Sequence, residues 1–142
     1  MNKKSKKLCS ACLLGIQCRY NAKGKASKKV LKLANREMLI PVCPEQLGGL
    51  PTPRPAAEQK DGRVITKNGD DVTDNFKRGA QKVLELAKIY GCKETILKQR
   101  SPSCGCGQVY DETFSGTIVE AGGVTAKLLK ENGISVKTEE DL

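Results

Sequence analysis

The chain has 142 residues, with seven cysteines and no histidine to do chemistry. The thiols fall at Cys9-x2-Cys12, Cys18, Cys43, Cys92 and Cys104-x-Cys106, the last pair inside SPSCGCG, residues 101–107. A chain without imidazole lacks the commonest general base and the commonest zinc ligand together. Any metal must then be held by sulfur, oxygen or backbone. Two arrangements fit the spacing. Cys9 and Cys12 with Cys104 and Cys106 form two tight pairs, as in a structural zinc site. Cys12, Cys43 and Cys104 instead offer three thiolates to an iron–sulfur cluster, leaving one iron open to a substrate atom as a Lewis acid.

Few other side chains are placed to assist. Glu45, two residues after Cys43, is by default a surface carboxylate, but beside a thiol-held metal it is the nearest acid or base. Ser101 and Ser103 suit a turn that bonds its own backbone. Ser101, at a strand end, also suits orienting a ligand or relaying a proton. Arg54 and Glu58 read as an ion pair pinning a loop, and Cys92 as a small buried hydrophobe. Cys18 stays open between ligand and packing.

The elements that must position these groups alternate between strand and helix. The apolar run KLCSACLLGI (7–16) reads as a buried strand entering a loop, and EMLIPVC (37–43) and TILKQRS (95–101) as two more strands. ASKKVLKLAN (26–35) has Ser27 as N-cap and an apolar face of Val30, Leu31, Leu33 and Ala34. A longer helix carries Phe76, Ala80, Val83, Leu84 and Ala87 at helical spacing, is capped by Thr73 or Asp74 and ends at Gly91. GVTAKLLKEN (123–132) is a further helix and ISV (134–136) a last short strand. TFSGTIVEA (113–121) suits an edge strand or loop. Asn68-Gly69 suggests a small hairpin within 61–73. Four of the six prolines fall between Pro44 and Gln59, a segment expected to be irregular and functional.

This alternation predicts an α/β fold in one domain spanning 1–142, with a mostly parallel sheet and helices on both faces. Ligands in such sheets bind beyond the carboxyl ends of strands. Cys12, Cys43 and Cys104 fall at or just after three successive strand ends, which predicts that they meet at one edge.

Charge and cysteine usage narrow the setting. Lysines and arginines run from Lys3 to Arg36 before the first acidic residue, Glu37, so the whole net charge of +9 belongs to the first quarter. Residues 1–7 read as a flexible basic tail. The patch suits a solvated face or attraction of anions, but it lacks the interleaved aromatics of a base-stacking surface. No stretch has membrane-spanning length or a signal peptide's apolar middle, so a cytoplasmic protein with reduced thiols is expected. A zinc-stabilised nucleic-acid-binding module using the basic quarter is the alternative function.

Five stretches together, SACLLGIQCRYNAKGK, PVCPEQLGGLPTPRPAAE, NGDDVTDNFKRGA, ILKQRSPSCG and GGVTAKLLKENGI, resemble the thiouracil desulfurase family from about Leu8 to Val136. The resemblance implies a Rossmann-like domain with a 4Fe–4S cluster on Cys12, Cys43 and Cys104 and one open iron. It further implies Glu45 as the catalytic acid or base and Ser101 as the catalytic serine. The implied substrate is a thiolated pyrimidine such as 2-thiouracil, whose sulfur leaves as hydrosulfide without net redox change. CRYNAKGK departs from the more usual CRYDG, and Cys9 and Cys106 look like additions.

Overall fold

A computed structural model of the chain describes residues 5–105 and 122–142, together with the backbone of two short strands between them. In chain order, β1 (Lys6–Ser10) enters a 3-10 turn (Ala11–Leu14), followed by α1 (Lys28–Leu33) and β2 (Met38–Val42). A one-turn helix α2 (Pro44–Leu47) precedes the strands β3 (Ala57–Lys60) and β4 (Arg63–Thr66) and the long α3 (Thr73–Tyr90). Then come β5 (Glu94–Leu97), β6 (Val109–Tyr110), β7 (Ile118–Val119), α4 (Val124–Glu131), β8 (Ser135–Thr138) and a closing 3-10 turn, Glu139–Asp141.

Four strands form a sheet in the order β2-β1-β5-β8, every pairing parallel. The chain steps from β1 to β2 on one side and later to β5 on the other. The carboxyl ends of β1 and β5 therefore flank the point where strand order reverses, where a crevice opens in such sheets.

Side chains of successive strand residues point to opposite faces, and the core divides accordingly. Leu8, Val42 and Leu97 pack with Val83, Leu84 and Ala87 of α3 and with Ala126 and Leu129 of α4. Cys9 and Ile96, one residue out of phase, pack with Val30 of α1 and with Leu13 of the 3-10 turn. Helices thus cover both faces, as the alternating pattern predicts. Ser27 caps α1 by accepting from the Val30 N–H at 3.3 Å, and Gly91 ends α3 in the left-handed conformation.

Several expectations need correction. The hairpin turn is Asp61-Gly62, both at positive φ, joining β3 to β4; Asn68-Gly69 lies beyond β4. The segment 44–59 is not wholly irregular, since it holds α2 and β3. Thr73 does not cap α3 with its hydroxyl, which accepts instead from the Val64 N–H at 2.8 Å and ties the hairpin to the helix. Leu31 is exposed rather than on the buried face of α1. Lys6 and Lys7 belong to β1 rather than to a tail, and the Lys7 ammonium lies 3.0 Å from both Glu37 and Glu94. Most of 113–121 and all of Cys106 lie outside the described residues.

Candidate active site

Three loops leave the carboxyl edge of the sheet, and each delivers one of the expected thiols. Cys12 sits on the 3-10 turn two residues past the end of β1, not on the strand itself. Cys43 follows β2 directly and is the N-cap residue of α2, whose first position is Pro44, a residue pre-set for a helix start. Cys104 lies in the turn after β5. All three line one cavity of about 750 Å³, which also takes in Cys18, Glu45 and Ser101.

Close backbone packing fixes two of these loops. Gly48 and Gly79 let α2 lie directly on α3: a Cβ at Gly79 would stand 1.9 Å from the Pro44 carbonyl oxygen. At Gly123, just before α4, a Cβ would stand 2.5 Å from the Ser103 carbonyl carbon and oxygen. That closeness lets the first amides of α4 hold the Cys104 turn. Val124 N–H donates to the Pro102 carbonyl at 3.0 Å and Thr125 N–H to the Ser103 carbonyl at 2.8 Å. The Gln59 side-chain amide adds bonds to the carbonyls of Pro102 at 3.0 Å and Gly122 at 2.9 Å.

The thiols act on one another electrostatically. Cys43 is pushed well above the ordinary thiol range, first by its hydrogen-bonded neighbour Cys18 and then by burial. Cys18 is raised chiefly by its hydrogen bond with Cys12. Burial takes Cys104 up to about 11, although hydroxyl bonds from Ser10 and Ser103 pull the other way. These shifts favour the neutral thiol at Cys18, Cys43 and Cys104, and a coordinating metal deprotonates such groups.

The donor set fits such a centre. Ser10 Oγ accepts from the Lys98 N–H at 2.9 Å, which turns its proton toward Cys104 Sγ, 3.4 Å away. A buried hydroxyl aimed at sulfur is suited to a thiolate ligand. Among the described residues, no three His, Cys, Asp or Glu side chains gather tightly enough to hold a single metal ion. Cys9 does not belong to the lining. It is fully buried among Leu13, Val30 and Ile96, and burial pushes it up to about 12. The proposed zinc quartet therefore lacks one member at the cavity. Cys92 is a packed core thiol, as expected.

Glu45 is held from both sides. Its Oε1 accepts from Arg54 Nε at 3.1 Å and its Oε2 from Ser103 Oγ at 3.3 Å. The Arg54 side chain is 4% exposed. It also donates to the carbonyls of Cys18 at 2.9 Å and Pro51 at 3.1 Å and to Thr52 Oγ1 at 2.9 Å. The ion pair it makes is thus with Glu45 rather than the expected Glu58. Ser101 Oγ accepts from the backbone N–H groups of Ser103 and Cys104, both at 3.2 Å, and lies 3.1 Å from Ser103 Oγ. Cys18, Arg54, Ser10 and Ser103 are the site groups that spacing alone did not assign. Only Ser103 had a local signal, its place beside Cys104.

The fold and site define an α/β protein with a thiol-lined pocket at the switch point of a parallel sheet. A family model described as 2-thiouracil desulfurase matches residues 8–141. A solved structure titled [4Fe-4S]-dependent thiouracil desulfidase TudS is 42% identical, with a TM-score of 0.92 over 98% of this chain and 93% of that one. Uncharacterized protein YbbK of Bacillus subtilis (strain 168) is 43% identical over 95% of this chain and 96% of its own. The chain belongs to the 2-thiouracil desulfurase family.

Proposed function

We propose that this protein is a 4Fe–4S-dependent thiouracil desulfidase, hydrolysing the C–S bond of a thiolated pyrimidine such as 2-thiouracil. The observation that carries the reading is the convergence of Cys12, Cys43 and Cys104 on the cavity that also holds Glu45 and Ser101. The net reaction, thiouracil plus water to uracil plus hydrogen sulfide, moves no electrons. The three cysteines would hold the cluster, which supplies, when bound, a soft Lewis-acidic iron matched to a thiocarbonyl sulfur.

The remaining work falls to the chain's own residues. Glu45, fixed by Arg54, takes a proton from the attacking water, a task histidine performs in many enzymes. Ser101 presents a hydroxyl to the polar edge of the ring. The Arg54 guanidinium bonds the Glu45 and Cys18 loops together, so the base and the thiol wall keep a fixed separation. No helix among the described residues is long and apolar enough to cross a membrane. A cytoplasmic placement, where thiols stay reduced, suits a site of this kind.

The test is anaerobic purification with iron, sulfide and zinc analysis, followed by assay of 2-thiouracil loss and sulfide release. Cys43→Ala is expected to lose iron. Glu45→Gln is expected to keep iron and lose turnover by at least about 10²-fold. Zinc in place of iron, or full activity in either variant, overturns the assignment.

A further inference from the structure

We infer that Ser10 is a positioning residue that keeps a hydrogen bond on the Cys104 sulfur, making the iron of the proposed cluster a better acceptor for the substrate's sulfur. The inference rests on the reading above. Ser10 closes β1 and lies two residues after Leu8, on the strand face whose core includes Cys104. It is 2% exposed, and a buried hydroxyl is costly unless it is hydrogen-bonded. Its oxygen accepts from the N–H of Lys98, the first residue past β5, at 2.9 Å. That bond ties the ends of β1 and β5 together, and it accounts for the oxygen alone. The proton goes to Cys104 Sγ, 3.4 Å away.

The other hydroxyl at this sulfur is less committed to it. Ser103 Oγ lies 3.5 Å from Cys104 Sγ, but also 3.3 Å from Glu45 Oε2 and 3.1 Å from Ser101 Oγ. Among the described residues, the Ser10 hydroxyl bonds only the Lys98 N–H and the sulfur. An O–H donor on a ligating thiolate draws electron density from the sulfur and, through it, from iron. Hydrogen bonds to the sulfurs are among the factors that set a cluster's reduction potential. An electron-poor iron is easier to reduce and is also the stronger Lewis acid. No proton changes hands at Ser10, and the desulfuration itself moves no electrons. The potential serves as a gauge of the iron's acceptor strength. Ser10→Ala removes the donor and leaves the Lys98 N–H unpaired, whereas Ser10→Thr keeps a hydroxyl for both.

The experiment compares wild type, Ser10→Ala, Ser10→Thr and Ser103→Ala as anaerobically reconstituted holoenzymes. Iron and sulfide content, Tm, reduction potential, and kcat and KM for 2-thiouracil are measured for each. In Ser10→Ala the ratio of reduced to oxidised cluster at a fixed poise is expected to fall about tenfold, or about 59 mV for one electron. Its kcat/KM should fall by about the same factor. Ser10→Thr should stay within about twofold of wild type in that ratio, or about 18 mV, and Ser103→Ala should shift less than Ser10→Ala. A residue that merely ties β1 to β5 would lower Tm and iron content and leave the potential of the loaded fraction where it was. A fall of less than about twofold in loaded Ser10→Ala, or a rise, overturns the inference. So does a larger shift in Ser103→Ala, or a lowered potential with kcat/KM within about twofold of wild type. If Ser10→Ala takes up no iron, Ser103→Ala holoenzyme is reconstituted in H2O and in D2O and read by resonance Raman. Iron–thiolate stretches that differ between the two solvents support the donor, and identical stretches overturn it. Wild-type holoenzyme that fails to turn over 2-thiouracil would sink the proposed function instead.

Discussion

Gly79→Ala should injure catalysis far more than folding. The added Cβ would stand 1.9 Å from the Pro44 carbonyl oxygen and 2.8 Å from its carbon. Both are backbone atoms, so no rotamer change relieves the clash. Restoring ordinary contact at 3.4 Å requires α2 and α3 to part by about 1.5 Å. Pro44 lies between Cys43 and Glu45, so both move with it. Misplacing a reacting group by about 1 Å costs on the order of 10²-fold. Stability changes less: alanine gains about 1 kcal/mol of helix propensity, against about 1–3 kcal/mol for overpacking. That leaves a net loss of about 0–2 kcal/mol, or a Tm lower by up to roughly 8 °C. The assay is kcat/KM for 2-thiouracil on reconstituted protein, with iron content and thermal unfolding measured in parallel. A variant with full iron content and kcat/KM within about threefold of wild type would refute the claim that α2 is held at a critical distance.

Two further outcomes test the surroundings of the site. Cys9, held at about 12, should carry thiolate in only about one molecule in 10⁴ at pH 8. Peptide mass spectrometry should find it unalkylated by iodoacetamide until the protein unfolds, and labelling at the denatured rate would contradict its packing. Hydrogen bonds from Thr73 lead in lowering Asp71 to about 2 from an ordinary 3.8, with Arg63 assisting. Its folded pKa lies below the unfolded one, so its stabilisation is full above the unfolded value and is lost as pH falls toward 2. Urea midpoints of wild type and Asp71→Asn should therefore converge between pH 5 and pH 2; parallel curves would remove Asp71 from that account.

The sheet was legible because its determinants are local. Leu8, Cys9, Ile96 and Leu97 sit in apolar runs whose alternation assigns them to opposite faces, and Ser27 and Gly91 mark helix ends by backbone chemistry. Cys12, Cys43 and Cys104 could be placed together because parallel strands put their carboxyl ends on one edge. The hairpin was misplaced because Asp61-Gly62 and Asn68-Gly69 are both competent turns, and the choice rests on the pairing of Glu58 with Ile65 across the strands. The partner of Arg54 was hidden for a similar reason. Nothing local prefers Glu45 to Glu58; only the packing of α2 on α3 brings the former to the guanidinium. Gly79 carries no sequence signal of its role, since a glycine inside a helical stripe reads as a weakness rather than a contact.

The proposed sulfur donors Cys12, Cys43 and Cys104 sit on segments that become neighbours only after β1 has found both β2 and β5. A chain still emerging from the ribosome offers an iron carrier isolated thiols, each a poor holder of metal. On the proposed ligand set, loading therefore waits until the β2-β1-β5 part of the sheet has formed.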